Sequence, residues 1–140
     1  AGGEPGGARL HEDSGAPVRG YVAEPDSDRA VELLAADPTL GTGRHTVVEV
    51  RRNLARLLSP TDATAARAAF TADLTSFSIV EIDANTCELA ATIAEQTTVR
   101  TLDALHLGAA RRLGTHLTFV TFDVRQAQAA RSLGFAVAGA

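Results

Sequence analysis

A length of 140 residues bounds the chain to about one domain, which at this size buries a core without disulfide or metal staples. A single cysteine, Cys87, excludes an intrachain disulfide and a cysteine-built zinc site. A formal net charge of −4 counts against a general nucleic-acid binder, which is ordinarily basic. An aromatic content of 4% with no Trp counts against a base-stacking platform, and no apolar run approaches the roughly 20 residues of a membrane span, so a soluble cytoplasmic protein is expected.

In chain order, residues 1–8 (AGGEPGGA) are Gly-rich and are expected to be a disordered tail ahead of one domain over 9–140. Residues 9–13 (RLHED) stand where a first strand is expected, although their β propensity is poor. A short helix over 15–23 is weakened by Gly15, Pro17 and Gly20. Asp26 or Ser27 caps a helix to about Ala36, and a turn with at most a very short strand spans Pro38 to Gly43. Thr46 is predicted to cap a helix reaching Leu58, with Glu49 completing a capping box and Val47, Val50, Leu54, Leu57 and Leu58 at helical spacing.

Ser59-Pro60 breaks that helix, and Thr61 or Asp62 starts another to about Leu74. FSIVEI (77–82) reads as a strand, and Asn85 or Thr86 opens a helix with Leu89, Ala90, Ile93 and Ala94 on one side. Thr101 caps a helix over 102–113 that Gly114 stops. LTFVTF (117–122) is a buried strand, followed by a helix over 124–133, a stop at Gly134 and a last strand over 135–138. Strands alternating with helices predict an α/β sandwich with a mostly parallel sheet.

Four acids fall at informative places in that order. Asp123 follows a buried strand directly, at the sheet edge where open α/β folds bind ligands, and Asp13 follows the expected first strand. Glu49 and Asp103 lie in first helical turns, where side chains lean toward the helix N-terminus, so the four can converge on one pocket. Each also has a structural reading. First-turn acids complement the helix dipole, Asp123 can serve as an N-cap, and Asp13 suits a turn. All thirteen basic residues are Arg, the better residue for forked contacts with phosphate, although the Ala-, Gly- and Arg-rich composition also fits high-GC coding bias.

The segment TLDALHLGAARRLGTHLTFVTFD (101–123) resembles the C-terminal half of PIN-domain ribonucleases, in particular the VapC toxins of bacterial toxin–antitoxin pairs. The shared pattern is Leu102-Asp103-Ala104-Leu105-His106-Leu107, an Ala-rich helix ending in Leu113-Gly114, and Thr121-Phe122-Asp123. Arg131 to Val137 fits the family's tail, and Thr46-Val47-Val48-Glu49-Val50 resembles its helix carrying a metal-binding Glu. Asp13-Ser14-Gly15-Ala16-Pro17-Val18-Arg19 tracks its D-[ST]-S-A-L-V-K start, with Gly15 and Pro17 in place of Ser and Leu, and RLHE in place of a short apolar strand.

The resemblance implies a three-layer α/β/α PIN-like domain and Mg²⁺-dependent endoribonuclease activity, with Mn²⁺ able to substitute. Asp13, Asp103 and Asp123 would hold the metal, and Glu49 would hold a second ion or orient the attacking water. Ser14, Thr46 and Thr121 are candidate hydroxyls steadying the carboxylates. Arg19, Arg44, Arg52 and Arg100 are candidates for the RNA backbone. A VapB-type antitoxin and a homodimer are the implied partners. The alternative is a PIN-like protein or RNA interaction module that has lost activity. His106 is expected to be a core residue rather than a general base.

Overall fold

The computed structural model describes residues 10–12, 40–114 and 116–140. The expected tail, the helices expected over 15–23 and 26–36, and Asp13, Ser14 and Arg19 lie outside the described residues.

Strands β1 (Leu10–Glu12), β2 (Leu40–Gly43), β3 (Phe77–Val80), β4 (Thr118–Thr121) and β5 (Ala136–Gly139) form a sheet of order β3-β2-β1-β4-β5. Every adjacent pair is parallel. The order reverses between β1 and β4, which opens a crevice at the carboxyl ends of those two strands. Phe119 and Val120, consecutive in β4, point to opposite faces, and both are fully buried. Both faces of β4 are therefore covered, as a sheet between helical layers requires.

The helices among the described residues are α1 (Thr46–Leu57), α2 (Pro60–Leu74), α3 (Ala84–Gln96), α4 (Thr101–Leu113) and α5 (Val124–Ser132). The main core joins Ala90 and Ile93 of α3, Ala104, Leu107 and Ala110 of α4, Phe119 of β4 and Ala129 and Ala130 of α5. Small alanines let these helices approach closely, and the few large side chains fill what remains. A second cluster, Val50 and Leu54 of α1 with Phe70 of α2, locks the first two helices together.

Several helix starts differ from the sequence expectation because the capping residues differ. The N-cap of α1 is His45, not Thr46, and it makes no side-chain cap bond. The Thr46 hydroxyl instead pairs with that of Thr42 at 2.7 Å inside the protein, so the expected capping box does not form. Likewise Arg100, not Thr101, is the N-cap of α4 and makes no side-chain cap. Ser59 and Pro60 both end α1 and begin α2, because the Ser59 hydroxyl accepts from the Asp62 N–H and Pro60 occupies the first turn. Asp83 starts α3 ahead of Asn85 by accepting from the Thr86 N–H.

Candidate active site

Asp123 lies two residues past the end of β4, at the crevice. It caps α5, with its Oδ1 accepting from the Gln126 N–H at 2.9 Å. Capping does not remove it from the site, since its carboxylate also lines a pocket of about 410 Å³ together with Asp103. Asp103 reaches this pocket from the first turn of α4. Gln126 is fully buried, its Nε2 donating to Asp103 Oδ1 at 3.3 Å and its Oε1 accepting from the Thr121 hydroxyl at 2.7 Å. The same hydroxyl accepts the Asp123 N–H at 3.0 Å. Strand end, helix cap and helix first turn are thus tied through one amide and one hydroxyl.

Glu49, from the first turn of α1, meets α4 at its second turn. Its Oε1 lies 2.8 Å from His106 Nε2, and His45 Nε2 lies 3.8 Å from the same oxygen. His106 is buried, as expected, and its ring lies against that of His45 with centroids 4.1 Å apart. Burial, and then the neighbouring His106, push the His45 imidazole down to about 4 against the pull of Glu49, so it is neutral at physiological pH. His106 follows Asp103 by one turn on α4, so Glu49 sits beside the acidic pocket, though it is not among its lining residues.

The remaining candidates divide. Thr121 braces the site as described. Thr46 is bonded to Thr42 and, among the described residues, to no carboxylate. Arg44 forks onto the Glu81 carboxylate in an exposed pair, with distances of 2.6 to 3.2 Å. Arg52 lines a different pocket, between α1 and α2 with Val48, Ala63 and Arg67. Arg100 lines the acidic pocket, and so does Arg125, which the sequence reading missed. The available signal was position: Arg125 is the second residue of the helix that Asp123 caps. Gln126 and His45 were also missed, because their partners come from distant elements.

The donor chemistry fits a hard divalent cation. The two pocket acids offer only oxygen ligands, and each carboxylate is oriented at its Oδ1 by a bond from Gln126. Like-charged carboxylates lining one pocket repel one another, and a cation bound between them removes that penalty.

Residues 12–132 match the PIN domain family. Ribonuclease VapC46 of Mycobacterium tuberculosis is 34% identical over 134 residues, which cover 93% of this chain and 96% of that protein. Among solved structures, FitAcB from Neisseria gonorrhoeae superposes with a TM-score of 0.73 at 20% identity, covering 91% of this chain and 95% of that one. VapC20 of M. tuberculosis, a sarcin-ricin loop cleaving toxin, superposes with a TM-score of 0.70 at 20% identity, covering 90% and 95%. The DNA-bound VapBC of Salmonella typhimurium gives a TM-score of 0.67 at 17% identity, covering 93% and 96%.

Proposed function

This chain belongs to the PIN domain family, and we propose from that membership and from its paired pocket acids that it is an endoribonuclease toxin of the VapC kind, hydrolysing RNA phosphodiester bonds with a divalent cation. The observation that carries the reading is the convergence of Asp103 and Asp123 on one pocket at the strand-order reversal. The resemblance to ribonuclease VapC46 supports the substrate class.

In this reading Asp103 and Asp123 would hold Mg²⁺ or Mn²⁺ with Asp13, the residue that follows Glu12 in sequence, and Glu49 of α1 would hold a second ion. The ion supplies an activated water and charge stabilisation at the scissile phosphate. Gln126 and Thr121 keep the two pocket carboxylates aimed before substrate arrives. Arg100 and Arg125, lining the same pocket, hold the phosphate backbone by forked contacts. Toxin–antitoxin complexes among the structural neighbours support a VapB-type antitoxin as partner, and we extend the proposal to a homodimer. No described helix is long and apolar enough to cross a membrane.

The test is cleavage of an RNA panel by purified protein and by Asp103→Asn. The variant should keep its fold by circular dichroism and lose at least about 100-fold in rate, equivalent to about 2.7 kcal/mol of barrier. EDTA should stop the wild type, and Mg²⁺ or Mn²⁺ should restore it. Near wild-type cleavage by the variant, or chelator-resistant cleavage, would contradict the assignment.

A further inference from the structure

His45, Glu49 and His106 bring two imidazoles and one carboxylate together so closely that one ligand atom from each lies within 4.8 Å of the others. We propose that these three side chains form a separate binding site for a borderline divalent transition ion of the Zn²⁺ class, one turn of α4 away from the all-oxygen pocket. The inference goes beyond the nuclease reading and stands whether or not the chain cleaves RNA.

The donor set is the first argument. Imidazole nitrogens prefer Zn²⁺, Co²⁺ or Ni²⁺ to Mg²⁺, which takes oxygen ligands. The observed separations, 2.8 Å from His106 Nε2 and 3.8 Å from His45 Nε2 to Glu49 Oε1, bracket the spacing of about 3–3.5 Å that neighbouring ligands of a tetrahedral zinc adopt. Three protein ligands leave a fourth position open. Glu49 keeps partial exposure, which gives an ion a way in.

The second argument is independent of the cluster. Both ring nitrogens of His45 are shut off from solvent, and neither has a hydrogen-bond partner among the described residues. Leaving a polar ring buried without a partner is costly, and such groups call for an explanation. The chain makes room for this ring. A Cβ on Gly43 would lie 2.5 Å from His45 Cε1 and 2.6 Å from Nδ1, so only glycine there lets the imidazole occupy its place.

The experiment uses the full chain, stripped with chelator, and Co²⁺ as a visible-absorption probe. Expected is one saturable Co²⁺ per chain, bleached by stoichiometric Zn²⁺ and unaffected by millimolar Mg²⁺. His45→Leu should weaken it at least ~10-fold, the smallest loss that removing even an outer partner of a metal site gives. Asp103→Asn should bind Co²⁺ as the wild type does. Equal binding by His45→Leu, loss in Asp103→Asn, or no saturable absorption in the wild type would overturn the proposal. A second readout needs no variant. Of the four histidines, Zn²⁺ should shift the imidazole NMR signals of His45 and His106 and leave those of His11 and His116 in place. Shifts at His11 or His116 alone would equally overturn it.

Discussion

Gln126 donates its side-chain amide to Asp103 at 3.3 Å while its backbone N–H is held by Asp123, so one buried residue braces both acids of the pocket. Gln126→Ala keeps the backbone bond to Asp123 and deletes the brace on Asp103 and the partner of Thr121. The expected cost is about 1–3 kcal/mol of unfolding free energy, the range for a broken buried hydrogen-bonding arrangement. Cleavage per folded molecule should fall as well, with the apparent affinity for Mg²⁺ weakened. Denaturant melts alongside a Mg²⁺ titration of the rate check this. Lost stability with unchanged Mg²⁺ dependence would make Gln126 a purely structural residue.

Asp83 gives a pH dependence with a definite sign. The Thr86 N–H it caps and the Arg112 guanidinium, at 2.7 Å, lower its carboxyl from 3.8 to about 2. Its folded value lies below its unfolded one, so the unfolded chain takes up the proton first as pH falls. The contribution is full above about pH 4 and is lost progressively as pH falls from 3.8 toward 2. Asp83→Asn should flatten that part of the profile. Urea midpoints across pH 2 to 5 would show it, and parallel profiles for variant and wild type would count against it.

Much of this site was legible because strand ends and first helical turns are positions that sequence marks. Asp123 was placed by the apolar run Leu117–Phe122 before it, and Asp103 by the periodic helix behind it. Helix starts were less legible. Ser59 and Asp83 cap α2 and α3 two residues ahead of the expected positions, and the Thr46 hydroxyl bonds a strand residue, Thr42, that no local pattern reveals. The expected strand over 9–13 had poor propensity, yet Leu10–Glu12 pairs with both β2 and β4, whose register imposes the extended backbone. Gln126 and the Glu49–His106 contact, 57 residues apart in sequence, belong to tertiary packing and leave no spacing signal.

Phe70 is the one fully buried side chain of α2, set against Val50 and Leu54 of α1. The rest of α2 is largely Ala and Thr with little apolar bias, so its own propensity does little to fix it on the domain. Phe70→Ala is expected to cost about 3–5 kcal/mol. Because the acidic pocket draws no residue from α2, the metal dependence of cleavage should survive at temperatures where the variant stays folded. Hydrogen exchange should show α2 opening ahead of the α3–α4 core. Uniform loss of protection over the whole domain would refute a locally anchored α2.

Gly139 tests whether the carboxyl end of β4 sets the site. It pairs in register with Thr121, its φ is +104°, and a Cβ there would collide with the Thr121 carbonyl oxygen. Gly139→Ala therefore carries both a disfavoured backbone and a clash with main chain that no rotamer can relieve, about 1–3 kcal/mol for the backbone alone. Thr121 carries the bonds to Gln126 and to the Asp123 N–H, so pushing its peptide away should also misplace both pocket acids and slow cleavage. Gly114→Ala is the matched control, because its φ is +110° but a Cβ there meets nothing within 4 Å. That variant should lose stability without losing activity per folded molecule. If both variants slow cleavage equally after correction for the folded fraction, the register of β5 against β4 does not position Asp123.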